Sequence, residues 1–306
     1  MPIIYQTMIA ALGAVVQLQP IGTNWGLFTL LWMMVSGRLL ESRGGVFPGL
    51  LSLGLSSPAV RRAWCALASG QWRMEALLRQ WQSYVYEETE WQAKAYSGYR
   101  VRALDITAFW RPKLKGCVSK HFYHPAGKAL PGILVGMAAS IGCLGSQRVP
   151  LPTHLLSPPA DESEAWLKQH LMVQVAEDLA EDEVAVLDAG FSLKALQEAQ
   201  MPRYVIRLAR NAVARRNQLP ERVPDQKGRP REYGDVVRPL ARCYRDNYLP
   251  ATPCDHHETW EYQGRELHAQ VWQNLVRSDC IVDPEQATYR VVVITDPLYL
   301  RPWILA

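Results

Sequence analysis

The chain has 306 residues, 48% hydrophobic and 20% charged, a balance that supports a sizeable core and excludes a disordered or fibrous chain. A net charge of +4 is mildly basic and by itself gives only slight support for a nucleic-acid partner. Six cysteines without a Cys-x-x-Cys pair point to free thiols in a reducing compartment rather than to a disulfide framework.

Residues 1–20 are apolar in patches but lack a basic leader and carry Gln6, Gln17 and Gln19. Residues 25–35 are too short for a bilayer span, which needs about 20 residues. Both read as buried helices, and no membrane association is expected. Residues 27–40 predict an apolar helix stopped by Glu41-Ser42-Arg43-Gly44-Gly45, and 47–55 a shorter one. Ser57 is placed to cap a third helix over 59–68 with Pro58 at its first position, and Gly70 separates it from a fourth over 71–86. Arg61 and Arg62 on the third helix fit a helix-turn-helix DNA reader. A plain helical bundle with solvated arginines fits the same pattern.

Residues 87–91 read as a linker. In 99–112 an apolar run is interrupted by Asp105: Val101, Ala103, Leu104, Ile106, Ala108 and Phe109 predict a buried strand. A carboxylate inside such a strand is costly unless something neutralises it. Residues 113–123 predict a second strand carrying Lys113, Lys115, Lys120 and His121, and 133–144 a third, together an antiparallel meander. Residues 150–159 read as a proline-rich loop. Ala165, Leu167, Leu171, Val175 and Leu179 recur at helical spacing over 163–180, and the acidic stretch 177–183 reads as a solvated helix end. Residues 184–191 repeat the earlier grammar, with an apolar strand ending at Asp188 and a Gly190 turn. A helix over 192–200 and a strand over 203–209 follow. Three strands, helix, strand, helix, strand is the order of a mixed sheet flanked by helices, an α/β (α+β) fold.

Residues 210–257 break this pattern. Between Arg203 and Arg245 there are twelve Arg or Lys against four acids, with Pro220, Pro224, Gly228, Pro230 and Gly234 making the stretch loop-rich. Such an excursion suits a phosphate backbone, because Lys and Arg supply sequence-independent affinity by releasing counterions. A solvated loop is the plainer reading. Candidate DNA contacts are Arg61, Arg62, Lys113, Lys115, Lys120, Arg207, Arg210, Arg215, Arg216, Arg229 and Arg231. A hairpin over 259–276 turns at Gly264, and 289–295 is a final buried strand. Cys254-Asp255-His256-His257-Glu258 has zinc-ligand residue types but no second pair at ligand spacing, so it reads as a polar loop.

Asp105 and Asp188 offer the hard oxygens that Mg²⁺ or Mn²⁺ prefers. Two such ions about 3.5–4 Å apart activate a water or 3′-hydroxyl and stabilise the leaving oxygen of a phosphodiester. If the first and fourth strands are parallel neighbours, the two aspartates lie side by side. Structural aspartates that cap turns or pair with arginine share these sequence features.

Leu104-Asp105-Ile106-Thr107 with Trp110-Arg111-Pro112 resembles the first-aspartate motif of DDE transposases of bacterial insertion sequences. Leu187-Asp188-Ala189-Gly190-Phe191, followed by a helix and Tyr204-Val205-Ile206-Arg207, resembles their second, and Trp260-Glu261-Tyr262-Gln263-Gly264-Arg265-Glu266-Leu267 resembles the β-stranded insertion of one subgroup. The resemblance implies a helical DNA-binding head (1–90), a ribonuclease H-like core (91–210), a basic loop and hairpin insertion (211–287) and a last core strand (288–306). It also implies cleavage and strand transfer of transposon-end and target DNA on two Mg²⁺ or Mn²⁺ ions, a homodimer that joins two DNA ends, and a cytoplasmic, nucleoid-associated location. The family's third acid is a Glu on a helix after the last strand. No such helix follows 289–295 before Ala306, so the chain looks truncated, frameshifted or split. Glu258, Glu261 and Glu266 are the nearby acids, and Asp296 reads as a turn residue. A catalytically inactive, transposase-derived DNA-binding regulator is the alternative. A glycoside hydrolase using Asp105 and Asp188 as acid and base leaves the basic excursion unexplained.

Overall fold

Apolar runs broken by Gly and Ser turns fold as helices α1 (Ile3–Val16), α2 (Thr23–Val35), α3 (Arg38–Glu41), α4 (Val46–Leu51), α5 (Ser57–Ser69) and α6 (Met74–Glu88). The computed structural model describes residues 3–17, 23–42, 45–111, 113, 115–116, 118–221 and 231–306. The helix expected over 27–40 is interrupted at Gly37, whose φ of 79° starts α3 afresh, a left-handed conformation that glycine adopts without steric cost. Ser56 rather than Ser57 precedes α5, and Pro58 sits in its first turn. Leu27, Leu30, Met33, Leu50, Val60 and Ala63 form the helical core. A Cβ on Gly26 would lie 2.2 Å from the Ala66 Cβ, so the glycine allows α2 and α5 to pack closely. Among the described residues no helix is long and apolar enough to cross a membrane.

The next strands are β1 (Gln92–Ala93), β2 (Ala95–Tyr96), β3 (Tyr99–Trp110), β4 (Lys120–Tyr123), β5 (Lys128–Leu144) and β6 (Gln147–Leu156). β5 pairs antiparallel with β1, β4 and β6, and it also borders β3. The expected meander is therefore re-ordered, with β5 rather than β4 beside β3, and the second strand narrows to β4. The expected proline loop is largely strand. Pro150 and Pro152 stand opposite Ile141 and Ala139 in β6, beside a register shift at Ala138/Ala139. β6 pairs only with β5 among the described strands, and an edge strand tolerates missing N–H donors.

The expected linker is a packing point. Trp91 is buried with Val85 and Leu151, its Nε1 donates to Val149 O at 2.8 Å, and a Cβ on Gly142 would lie 2.2 Å from its ring. Gln82 Nε2 also donates to Pro152 O at 2.9 Å. Residues Met1–Val101 and Ile106–Ser163 form one unit.

The second unit comprises Arg102–Asp105 and Glu164–Ala306. It contains α7 (Glu164–Asp178), β7 (Glu183–Leu187), α8 (Leu193–Glu198), β8 (Tyr204–Ile206), β9 (Ala214–Arg216), β10 (Val236–Val237), β11 (Arg242–Tyr244), β12 (Asn247–Leu249), β13 (His256–Tyr262), β14 (Arg265–Arg277), β15 (Tyr289–Thr295) and β16 (Trp303–Leu305). β7 lies between β3 and β8 and runs parallel to β8. Leu167, Leu171, Met172 and Val175 form the buried stripe of α7, while Ala165, expected in that stripe, is exposed. Ser192 caps α8 by accepting the Ala195 N–H at 3.1 Å.

A second sheet has the order β10–β9–β14–β15–β16, with β13 paired to β14. Gln263 and Gly264, at φ 52° and 71°, turn the β13–β14 hairpin with two positive φ angles, as a type I′ turn requires. Trp272, Leu275, Tyr289, Val291, Val293 and Ile304 fill its core. Residues 289–295, expected to be the last strand of the first sheet, are β15 of this second one. Ala306 exchanges two backbone hydrogen bonds with Ile206, at 2.8 and 2.9 Å, so the segment around β16 joins β8 to the second sheet.

The period of two in β3 turns Arg102, Leu104, Ile106 and Ala108 inward and leaves Asp105 exposed. The buried charge on this strand is thus Arg102, not the expected aspartate. Its Nη2 reaches Glu183 Oε2 at 2.6 Å and its Nη1 the Asp178 carboxylate at 3.3 Å. Glu183, expected at a solvated helix end, is only 3% exposed because it supplies this counter-charge. Removing one partner of a buried ion pair strands the other. Arg102→Met is predicted to lower stability by about 3–5 kcal/mol, read as a urea midpoint. Arg102→Met with Glu183→Leu is predicted to regain much of that loss, and two single variants that simply add would contradict the pairing.

Candidate active site

Asp105 sits on the outward side of β3, in line with Thr107, and is exposed. Asp188 directly follows β7, whose Glu183, Ala185 and Leu187 point inward. The apolar strand stops there because the chain turns: Asp188 Oδ1 accepts the Gly190 N–H at 2.8 Å, and the Phe191 N–H reaches Asp188 O at 3.3 Å. A Cβ on Gly190 would lie 2.9 Å from Asp188 Oδ1, so glycine permits the tight turn. Buried Phe191 anchors its far side. The two aspartates, expected on buried strands, are both exposed, and they belong to neighbouring strands of one unit.

Arg207 follows β8 as Asp188 follows β7. Its N–H donates to Leu187 O at 3.1 Å, next in register to the Leu187–Ile206 pair. The carboxyl ends of the parallel strands thus present an acid and a base side by side. Ligands of open α/β sheets gather at this edge. The Arg207 guanidinium lies 5.8 Å from the Trp303 ring centroid, a cation–π contact that the sequence did not reveal.

Each of the two exposed carboxylates offers the hard oxygens that Mg²⁺ or Mn²⁺ prefers. Among the described residues no cluster of three or more His, Cys, Asp or Glu is placed to hold a metal. Glu258, Glu261 and Glu266 are on the β13–β14 hairpin of the second sheet, where Glu261 stands directly opposite Glu266. Asp296 is a turn residue. It accepts the Leu298 N–H at 2.8 Å and receives Arg265 on both oxygens at 3.1 Å, and these contacts hold its carboxyl below the usual range. Cys254 Sγ lies 3.0 Å from His257 Nε2, a two-residue contact at the start of β13.

The candidate DNA contacts divide by what their donors already do. Arg61 and Arg62 are exposed on α5 and line a cleft with Phe47 and Leu51. Lys113, Lys115, Lys120, Arg207 and Arg210 are exposed. Arg215 instead donates to Ser278 O and Gly234 O, both at 2.9 Å, and lies over the Tyr233 ring. Arg216 grips Asp255 through two nitrogens at 2.6 and 2.7 Å and also donates to Gln273 O at 2.8 Å. These two arginines hold β9 to its surroundings. Arg231 is exposed with Asp235 at 3.3 Å. Arg229 lies outside the described residues, as do Pro112 of the first motif and Pro224, Gly228 and Pro230 of the loop.

The Arg216 hydrogen bonds keep the Asp255 carboxyl below its ordinary value. A depressed folded value means the pair stabilises above the unfolded pKa of about 3.9 and loses that contribution as pH falls through the lower folded one. Asp255→Asn is thus predicted to flatten the acid limb of the stability curve below about pH 4. Urea midpoints measured against pH check this, and parallel acid limbs for the two proteins would contradict it.

No protein-family model matches this chain, and no curated protein is significantly similar to it.

Proposed function

We propose that the chain is a DNA-handling protein of the DDE transposase type, with a ribonuclease H-like core and Asp105 and Asp188 as ligands of a divalent cation. The observation that carries this reading is the exposure of the two aspartates on neighbouring strands β3 and β7. The strand neighbours add support. β6, β5 and β3 follow one another in the first unit and β3, β7 and β8 in the second, so the strand of the first motif borders that of the second. The chemistry a divalent cation supplies when bound to such a pair is Lewis-acid activation of a phosphodiester and its attacking hydroxyl. The protein's own groups do the rest. Asp105 and Asp188 fix the cation, and Arg207 offsets phosphate charge beside them. Exposed lysines and arginines hold the backbone through sequence-independent contacts. The DNA is transposon-end and target duplex, and joining two ends calls for a homodimer acting at the nucleoid.

The second reading is a transposase-derived regulator that holds DNA ends without cutting them. It is favoured by the placement of Glu258, Glu261, Glu266 and Asp296 on the second sheet and its turns rather than with the aspartate pair.

Nicking of supercoiled plasmid in Mg²⁺ or Mn²⁺, with EDTA as the control, separates the two. The transposase reading predicts metal-dependent nicking that Asp188→Asn abolishes while salt-sensitive duplex binding stays near wild type. Binding without nicking selects the regulator. Equal nicking by wild type and Asp188→Asn would remove Asp188 from the site, and absence of DNA binding would sink both readings.

A further inference from the structure

Between residues 106 and 160 the sequence contains six Lys or Arg and not one Asp or Glu. This stretch supplies the outer end of β3 together with β4, β5 and β6 of the first unit. The Arg111 N–H donates to Pro131 O at 2.8 Å, while Lys120 stands opposite Pro131 and Phe122 opposite Ala129. The start of β5 therefore lies between the end of β3 and β4.

The two sides of this patch differ. On one, Trp110 packs near His121 and Tyr123, with ring centroids 6.0 and 5.0 Å apart, and its Nε1 donates to His121 O at 3.2 Å. Strand alternation then turns Phe109, Phe122 and Ile133 to the other side. There they are 57%, 46% and 48% exposed, one from each of three adjacent strands. Arg111 and Lys120 share that side by the same alternation and are also exposed.

We propose that this outward face is a stacking platform for single-stranded DNA, resting on the reading above that the chain handles DNA. Phe109 is level with Ile133 and Phe122 with Ala129 on β5, so the two phenyl rings lie two strand spacings across and four residues along, ~16 Å apart, with Ile133 and Pro131 as an apolar floor between them. Aromatic rings on a sheet face take unpaired bases without sequence preference, and flanking cations take the phosphates. The charge pattern selects a polyanion over other occupants of an apolar face. A second copy docked here about a twofold axis would oppose Arg111 and Lys120 to their own kind, with no acid in the stretch to pair them.

The test is fluorescence anisotropy with a labelled oligothymidylate and a labelled duplex, using the full chain and the variants Phe109→Ala, Phe122→Ala, Phe109→Leu and Phe122→Leu. Both rings are exposed, and circular dichroism checks that each variant folds. The expected result is a loss of oligothymidylate affinity of about 5- to 100-fold per ring in the Ala and Leu variants alike, with duplex affinity unchanged. Leucine variants that bind the oligonucleotide like wild type would overturn stacking. Wild-type protein that binds duplex but not oligothymidylate would overturn the platform and leave the DNA reading standing, whereas binding to neither would overturn both. Loss of a dimer in the variants, seen by light scattering, would assign the face to contact between copies and overturn the proposal.

Discussion

The arrangement of the site depends on one buried charge, the Arg102 guanidinium on β3. It is held by Glu183 at the start of β7 and by Asp178 at the end of α7. Desolvating a cation is costly, and the cost is offset only where counter-charges are fixed at short range. β3 therefore has a strongly preferred neighbour and depth. Arg203 tightens the same corner by donating to Glu183 O at 2.9 Å and Ala180 O at 2.7 Å. With the lower ends of β3 and β7 locked, strand alternation decides what the upper ends present. Asp105 comes out on β3, and Asp188 comes out where β7 ends.

This explains how carboxylates can be exposed on strands that are largely apolar. Leu104 and Ile106 flank Asp105 but face the core, and Leu187 precedes Asp188 with its side chain buried. Both aspartates are exposed. The Gly190 turn fixes the Asp188 side chain through its own backbone, and the parallel β7–β8 pairing sets Arg207 beside it. The segment around β16 then closes the far side of β8, which brings Trp303 under the Arg207 guanidinium. The second sheet thus contributes an aromatic wall next to an edge built by the first. Its own charged groups, Arg216 with Asp255 and Arg265 with Asp296, are mostly spent on holding strands and turns.

Much of this was legible in the sequence where one periodicity dominates. The stripe Leu167, Leu171 and Val175 specified α7, and the apolar run 184–187 followed by Asp188 and Gly190 specified β7 and its turn. Elsewhere local chemistry and tertiary context disagree. Pro150 and Pro152 argued for a loop, yet an edge position in β6 removes the penalty for a missing N–H. Ala103, Leu104, Ile106 and Ala108 around Asp105 suggest burial, whereas strict alternation places Arg102 inward and Asp105 outward. The local pattern around Glu183 is that of a solvated acid, because its partner is 81 residues away in sequence, a separation no local pattern reveals. The same holds for Arg215 and Arg216, whose acceptors lie on distant turns and strands, so a basic count alone could not separate structural arginines from available ones.

The central claim is that Asp105 and Asp188 act together on one divalent cation. It is tested most directly by titrating the protein with Mn²⁺ and following the free ion by electron paramagnetic resonance, for wild type, Asp105→Asn and Asp188→Asn. One bound Mn²⁺ that is lost in both variants and displaced by Mg²⁺ is the predicted result. Mn²⁺ binding that survives either substitution unchanged would contradict a shared site.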